Sequence, residues 1–504
     1  MWANAGGTTG GGSTEALGLP TDVVTGIEIK IKDSEIWLKW TDPEDKVMPD
    51  GTPVATWKGT KLVYKQGKYP ENRFDGVQLL DNTVRNQYKD KWFKITQLEN
   101  GTTYYFSLFP YTDTGLYNDD KSQRIEGAPV AHPPYMEYGV RIDKKNSNPE
   151  TSCTYIGDAE TGVVAGDFKN TWRKTPIFKD IKPCVLKNGI VQYYLNRDNL
   201  TLKEDGTPSK LSEDGIDVMV EVPKIGYKFV NTEQFIEVWV TNNPNVEGYC
   251  YKAHSLKTEG DCDKIYYGAF LTNTKLHSWS VGTIDRDTTL DGGRYKANSF
   301  NTTEVKKIGE YQQFSYYPMI LLQCLYLIQY KNLDSQEALG MGCADRDTGT
   351  SPGTTVKKPG ENYASRSGYD NMKFMNIEDM WGNALYWVDG VCVDDSMNIK
   401  TDFKNFNDRL GYRYSTPAGV QEDINKGFIN EIQGTNDGGF IVKENKGSET
   451  TYFSDVGSLY RNGFGVFGGR NSSKKQTGAF CFVAVTYDSS RFAYRLMFKH
   501  LEEV

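Results

Sequence analysis

The sequence predicts a mainly β protein with an α+β C-terminal part. Short segments such as residues 27–32 and 36–41 alternate apolar and polar side chains with period two, as half-buried strands do. Aromatic residues make up 13% of the chain, including 32 Tyr, and 50 residues are Gly, a composition that suits strands joined by tight turns. The best helix candidate is residues 319–330, where apolar side chains recur at three-and-four spacing.

Length and charge narrow the classes of function. A chain of 504 residues suggests about three domains. The net charge of -8 argues against bulk electrostatic binding of nucleic acid, which needs a basic face. The longest apolar stretch, Tyr316–Tyr330, is interrupted by Pro and Gln, and the N-terminus lacks a basic flank and an apolar core. We therefore expect neither membrane insertion nor a signal peptide.

The N-terminal region divides into an arm and a strand-rich domain. Residues 1–24 are rich in Gly, Thr and Ser and predict a flexible arm, either a disordered terminus or a tether that inserts into a neighbouring protein. Residues 25–128 contain about seven short strands separated by turn signals, the pattern of a β-sandwich. The Ala-His-Pro-Pro segment at 131–134 predicts a linker.

Two features of residues 25–128 carry a resemblance. Trp40 lies in an early strand, and a Leu-x-x-Gly-Thr-x-Tyr segment runs from Leu98 to Tyr104. This combination resembles a fibronectin type III domain. The resemblance implies that Trp40 is buried and that the Tyr104 hydroxyl bonds back to the backbone in a tyrosine corner. Such domains serve mostly as spacers.

Beyond the linker we expect two further regions. Residues 135–212 predict a β-rich connecting region, in which Asn188-Gly189 lies between two strand-like runs and signals a hairpin. From residue 213 to 504 strands are followed by the helix at 319–330, by a short helix at 336–339, and then by short strands and long polar loops.

The C-terminal region carries a second resemblance. Trp381-Gly382-Asn383 followed by Trp387, then Gly468-Gly469, Gly478-Ala479-Phe480 and Arg495-Leu496, occur in this order. They resemble the C-type-lectin-like fold, in the subtype shared by formylglycine-generating enzymes and phage receptor-binding proteins. We expect Trp381 and Trp387 in the core of this fold, with Asn383 satisfying backbone groups of a turn.

A closer resemblance concerns function. Residues 182–189, 322–327 and 447–453 are similar to segments of tail and fibre proteins of phages and prophages. In some relatives a retroelement varies codons near the C-terminus and so alters host binding. The closing Gly-Ala-Arg-Leu of that family stands here as Ala-Tyr-Arg-Leu at 493–496. The resemblance implies a phage virion adhesin, assembled in the host cytoplasm and located in the virion.

The candidate binding residues lie in the loops around a strand predicted at 478–487. Their mixture of Tyr, Arg, Asn and Ser is typical of adaptable recognition surfaces, although an ordinary polar loop is the alternative. We expect the smaller alternate residues of the strand to face the core, which leaves Phe480 and Phe482 exposed or covering a neighbouring loop. The candidates are Tyr460, Arg461, Asn462, Phe464, Arg470, Asn471, Ser472, Ser473, Tyr487, Asp488, Ser489 and Arg491.

Enzymatic alternatives are weaker. The last hundred residues hold one cysteine, Cys481, which cannot form the two-thiolate copper site of the formylglycine-generating enzymes. Asp389, Asp394 and Asp395 cluster after the Trp motif and leave a glycoside hydrolase open, although loop carboxylates are more often solvated. We expect no catalytic residues.

We also expect no cofactor, with calcium as an open alternative. Residues 345–349, and Asp285 and Asp287 with Asp291, place oxygen ligands at alternating positions but lack a closing Glu. A zinc site at Cys250, His254 and Cys262 is disfavoured because a second close ligand pair is missing.

The resemblance to phage fibre proteins implies an adhesin that contacts a host surface protein or glycan through its C-terminal region. Its other expected partners are virion proteins, held through the N-terminal arm, and further copies of the chain in a homo-oligomer, with a trimer favoured. The alternatives are a structural virion decoration protein without host contact and a hydrolase of surface glycan.

Overall fold

The structure is a computed structural model. It describes residues 18–131, 135–257, 260–346, 349–404, 406, 414, 416–420, 424–469, 475–486 and 492–501. The chain forms two compact units, the first ending at Pro133 and the second beginning at Pro134. Both are built mainly of strands, which confirms the predicted fold class. Within the described residues, none of the helices combines the length and apolar character that crossing a bilayer needs.

The first unit is a β-sandwich. One sheet has the order β1-β2-β7 and the other β6-β5-β8-β9, while β3 and β4 form a separate hairpin. Buried residues from both sheets, including Ile36, Leu62 and Phe106, form one core. The strands described here are β1 Thr25–Lys32, β2 Glu35–Thr41, β3 Lys46–Val47, β4 Pro53–Ala55, β5 Trp57–Gln66, β6 Val77–Asn82, β7 Phe93–Ile95, β8 Tyr104–Thr112 and β9 Arg124–Gly127.

The two residues that carry the sandwich resemblance behave as expected. Trp40 is fully buried, and its indole Nε1 donates to the Asp42 carboxylate at 3.0 Å. The Tyr104 hydroxyl accepts a hydrogen bond from the Glu99 backbone N–H at 2.9 Å. This bond fastens the turn before β8 and confirms the tyrosine corner.

The predicted arm is shorter than expected at its C-terminal end. Thr21 and Val24 are buried, Val24 belongs to the sandwich core, and the Leu19 N–H donates to the Val54 carbonyl at 3.1 Å. Residues 18–24 are therefore part of the sandwich, because Val24 gains more by burial than by remaining in solvent. Residues 1–17 lie outside the described part of the chain.

The second unit contains three larger sheets and, among the described residues, four α-helices. The helices are α1 Leu290–Asn298, α2 Val305–Ile308, α3 Tyr316–Tyr330 and α4 Ser335–Ala338. The strands before α3 are β10 Glu137–Asp143, β11 Cys153–Gly157, β12 Lys182–Lys187, β13 Ile190–Tyr194, β14 Ile216–Pro223, β15 Gly226–Asn231, β16 Phe235–Thr241, β17 Cys262–Gly268 and β18 Gly309–Gln313. The strands after α4 are β19 Lys373–Phe374, β20 Ile377–Glu378, β21 Tyr386–Val393, β22 Asn398–Thr401, β23 Thr416–Val420, β24 Ile424–Phe428, β25 Glu431–Ile432, β26 Val442–Glu444, β27 Val456–Leu459, β28 Gly463–Phe467, β29 Phe482–Thr486 and β30 Leu496–Leu501.

The sheet orders show that the predicted boundary between residues 212 and 213 is wrong. The four-stranded sheet is β11-β10-β16-β15, and the six-stranded sheet is β13-β12-β14-β17-β30-β18. Each therefore combines strands from 135–212 with strands from 213–504, and one hydrophobic core extends from Tyr138 to Met497. The hairpin prediction is confirmed, since β12 and β13 are joined by Asn188 and Gly189, both with positive φ. Backbone pairing, which local patterns do not reveal, merges the two regions.

Helix α3 lies inside this core. All of its 15 residues are buried, and it contacts β10 and β16 of one sheet and β21 of another. The sequence predicted an amphipathic helix starting three residues later. The helix is buried on every side because loop residues such as Trp381 and Phe480 pack against it as well as the strands.

The seven-stranded sheet, with the order β23-β22-β21-β28-β29-β27-β24, has two different faces. On one face Tyr386, Phe467 and Phe482 join the main core. On the other face Trp387 and Val466 belong to a smaller cluster with Leu290, Cys392, Tyr414 and Phe464.

The Trp motif is structural, as predicted. Trp381 and Trp387 are fully buried, and their indole N–H groups donate to the carbonyls of Gly340 at 2.9 Å and Thr288 at 2.7 Å. The Asn383 side-chain oxygen accepts from the Thr350 backbone N–H at 3.0 Å. The motif thus fastens the 340–350 segment to the core.

Candidate binding site

A small pocket opens beside β27 and β29 of the seven-stranded sheet. Its volume is about 240 Å³. Half-buried Leu385 and Val483 give it apolar walls, and Tyr460 and Lys426 stand exposed at its edge. Its lining residues are Leu385, Lys426, Val456, Ser458, Tyr460, Gly469, Gln476, Thr477, Cys481 and Val483.

The side chains around β29 face the core and the pocket in a way that corrects one prediction. β29 pairs antiparallel with β28 and parallel with β27. Phe480 and Phe482 are buried at 0% and 1% exposure, whereas Val483 is half-buried on the opposite face. The expected exposure of the two Phe rings is therefore wrong. The interior around α3 accommodates aromatic rings, since Phe480 contacts Tyr326 with ring centroids 5.6 Å apart.

The turn between β27 and β28 presents three of the candidate residues together. Tyr460, Arg461 and Asn462 are the whole connection between the two strands, and all three are exposed. Asn462 has φ 54, a conformation that Asn tolerates better than most residues. The Arg461 guanidinium donates to the Asp395 carbonyl at 2.6 Å, which ties this turn to the turn after β21. The short connection fixes Tyr460 at the pocket.

Phe464 does not belong to this surface, although the sequence placed it there. It is 2% exposed and packs in the cluster of Leu290, Trp387 and Val466. It lies in β28, where its side chain points between the sheet and α1 rather than to solvent. The remaining candidates lie outside the described residues: Arg470, Asn471, Ser472, Ser473, Tyr487, Asp488, Ser489 and Arg491.

Leu385 and Lys426 were missed by sequence reasoning. Leu385 lies inside the Trp motif, and the residues on either side of it are buried. Lys426 lies in a strand whose sequence has no distinctive pattern. They reach the pocket because β24 pairs with β27 and residue 385 precedes β21. A local sequence signal could not have found them, since the pairing joins distant segments.

The carboxylates considered for hydrolysis have structural partners. Asp389 is 1% exposed and accepts two bonds from the Arg294 guanidinium, from Nε at 2.9 Å and from Nη2 at 2.6 Å. Asp394 accepts the backbone N–H groups of Ser396 and Asn398 at 2.9 and 2.8 Å. At the pocket, burial raises the pKa of the Cys481 thiol, which keeps it protonated and poorly nucleophilic.

The candidate metal ligands are also engaged. His254 Nε2 accepts the Ile225 N–H at 3.1 Å, and Asp285 pairs with Lys296. Asp291 pairs with Arg294 at 2.8 Å, while residues 347 and 348 of the other calcium candidate lie outside the described chain. Among described residues, no three His, Cys, Asp or Glu side chains are grouped so that they could hold a metal ion.

Solved structures that are similar to part of this chain include a fibronectin III domain. The chain is similar to the third fibronectin III domain of the human KIAA0343 protein, with 13% identity and a TM-score of 0.16. The match covers 25% of this chain and 98% of that domain. The sequence matches no protein-family model and no curated protein.

Proposed function

We propose that this chain is a phage virion adhesin, a receptor-binding protein that contacts the host cell surface through the pocket beside β27 and β29. The observation that carries the proposal is the exposed 460–462 turn at the edge of an apolar pocket beside two paired strands of a sheet. Binding sites combine such a concave apolar surface with a few fixed polar groups.

The chemistry of the turn supports recognition rather than catalysis. Tyr460 offers a large amphipathic surface at low entropic cost, and the neighbouring Arg461 and Asn462 supply hydrogen-bond donors and acceptors. Tyr and Arg are the residue types that most often dominate binding energy. The strands hold these groups in place before a ligand arrives, which reduces the ordering cost of binding.

The roles of the other regions follow from the resemblances. In this proposal the arm attaches the chain to other virion proteins, the fibronectin III-like sandwich acts as a spacer, and the second unit, a C-type-lectin-like domain, binds a host protein or glycan. The chain acts as a homo-oligomer, with a trimer favoured, and needs no cofactor. A decoration protein without host contact and a surface-glycan hydrolase are the alternatives.

The test is binding of the purified, fluorescently labelled chain to intact host cells. A Tyr460→Ala, Lys426→Ala double variant removes both exposed groups at the edge of the pocket. We expect its apparent Kd to rise at least about tenfold, since truncating a Tyr that acts as a binding hot spot costs about 2 kcal/mol or more. Flow cytometry over a concentration series measures this change.

A matched control is Tyr295→Ala with Lys306→Ala, which removes an exposed Tyr and an exposed Lys elsewhere on the same unit. Its binding and melting temperature are expected to equal those of the unmodified chain. Equal binding by the pocket variant and the control would contradict the proposed site. A chain that assembles on particles yet fails to bind cells would be a decoration protein, and release of reducing sugar from cell-surface glycan would indicate the hydrolase.

A further inference from the structure

A second, larger pocket lies elsewhere in the C-terminal unit. Its volume is about 730 Å³, within the range of small-ligand sites. It shares none of its lining residues with the pocket beside β27 and β29. Five segments form it: the end of β10 with the turn that follows, the β15–β16 hairpin, the segment between α3 and α4, the β25–β26 hairpin with the residue before it, and the turn at 452–453.

Hydrogen bonds between these segments hold the walls of the pocket in place. The Tyr452 N–H donates to the Ser147 carbonyl at 2.7 Å, which joins the 452 turn to the segment after β10. The Lys144 ammonium donates to the Asn231 side-chain oxygen at 2.7 Å, and the Asn231 amide donates to the Gln433 carbonyl at 3.1 Å. The cavity is therefore preformed, and a ligand would not have to order it.

The floor of the pocket is apolar and its rim is polar. The floor consists of five residues that are each at most 4% exposed: Ile142, Ile236, Leu333, Ile432 and Phe453. Above it stands the half-buried ring of Tyr452, whose φ of 55 places a bulky residue in the left-handed region. Such strained positions persist where the surrounding structure holds them, and they concentrate at ligand sites.

The charges on the rim balance closely. Lys443 contacts the Glu431 carboxylate at 2.7 Å and Lys144 contacts it at 3.8 Å, so one carboxylate lies between two ammonium groups. Asp143 and Glu233 add two further carboxylates, which would repel a polyanion. The side chains of Asn146, Asn231 and Asn430 add amide groups to the rim. This rim fits a neutral ligand with many hydroxyl groups.

We infer that this pocket binds a short neutral saccharide. A pyranose ring has an apolar C–H face that matches the Tyr452 ring and the aliphatic floor, and its hydroxyls can exchange hydrogen bonds with the carboxylates and amides of the rim. The inference concerns a second site and goes beyond the proposed contact at Tyr460, so either can fail without the other.

The test uses the full chain on a printed array of neutral and acidic di- to tetrasaccharides, followed by titration calorimetry with the strongest neutral binder. Tyr452→Asn removes the ring and keeps a residue that tolerates positive φ. Glu233→Trp places a bulky side chain at the exposed mouth without removing a described hydrogen bond of the walls. We expect each variant to weaken saccharide binding at least tenfold. Glu233→Trp should leave the melting temperature unchanged, whereas Tyr452→Asn should lower it because Tyr452 packs against the core.

Two control variants establish whether the saccharide binds in this pocket or at another place on the chain. Tyr369→Asn removes an exposed Tyr outside the pocket, and the Tyr460→Ala, Lys426→Ala variant disrupts the other site; both should bind the saccharide as the unmodified chain does. If Tyr452→Asn does not fold, Glu233→Trp decides the result. Binding of acidic saccharides alone, no binding to any saccharide on the array, or equal binding by Glu233→Trp and the unmodified chain would overturn the inference.

Discussion

The two units of this chain reach their cores by different routes. In the sandwich, strands that pair are mostly neighbours in the sequence, as with β1 and β2, β5 and β6, and β8 and β9. In the second unit, β17 and β18 both pair with β30, which lies far along the chain near its C-terminal end. β21 is buried along its whole length there. Local sequence patterns therefore describe the first unit better than the second, because strands buried on both faces lose their alternation.

The largest expected effect compares the two buried tryptophans. Truncating a buried Trp to Ala costs about 3–5 kcal/mol, because contacts are lost and a cavity remains. We expect Trp40→Ala to lower the melting temperature of the sandwich alone and Trp381→Ala that of the second unit alone. Differential scanning calorimetry resolves the two transitions if the units unfold independently. A shift of both transitions by either variant would show that the units are thermodynamically coupled.

An effect of intermediate size is expected on the pH dependence of the stability of the second unit. His254 is fully buried, and burial, followed by the charges of Lys499 and Lys224, lowers its pKa from 6.5 to about 3. Below pH 6.5 the unfolded chain binds a proton there that the folded chain does not. The free energy of unfolding of the second unit is therefore unaffected by His254 above pH 6.5. It decreases as the pH falls towards 3, and the loss reaches about 2–3 kcal/mol at pH 4.5.

His254→Gln keeps an acceptor for the Ile225 N–H and removes this titration. We expect the free energy of unfolding of the second unit to fall less steeply between pH 6.5 and 4.5 in the variant than in the unmodified chain. Chemical denaturation at several pH values measures the free energy of unfolding of both proteins. The comparison with the unmodified chain is needed because burial raises the pKa of Asp379 and Asp455, and these two groups make the folded unit more stable as the pH falls. The substitution lies in the second unit, and residues 18–131 contain no histidine, so the pH dependence of the sandwich should be the same in the two proteins. Parallel pH slopes for the two proteins would contradict the assignment.

The smallest effect concerns the corner of the sandwich. Tyr104→Phe keeps the ring and removes the acceptor of the Glu99 N–H, and losing this partly buried hydrogen bond costs about 0.5–1.5 kcal/mol. We expect a lower urea midpoint for the sandwich and no change in the second unit. Tyr117→Phe is a matched control, since the phenyl ring can still stack on Tyr111. Equal midpoints for Tyr104→Phe and the control would mean that the corner bond adds no net stability.

The sequence by itself determined the features that depend on neighbouring residues. The strand alternation and the Tyr104 corner identified the sandwich, Asn188-Gly189 identified a hairpin, and the apolar run identified α3. It also placed Tyr460, Arg461 and Asn462 on one exposed surface, because a short polar turn between strands lies outside the core. Each of these predictions rests on interactions within a few residues of the chain.

Only the tertiary structure decided which side of β29 faces inward and which segments share a sheet. Period two divides a strand into two sets but does not say which set is buried. In this chain the set that contains Phe480 is buried, because Phe480 packs against Tyr326 of α3 and against Phe440 and Phe453. Burial of Phe464, the single core across residue 212 and the position of Lys426 follow likewise from long-range strand pairing, whose free energy depends on partners that no local pattern names.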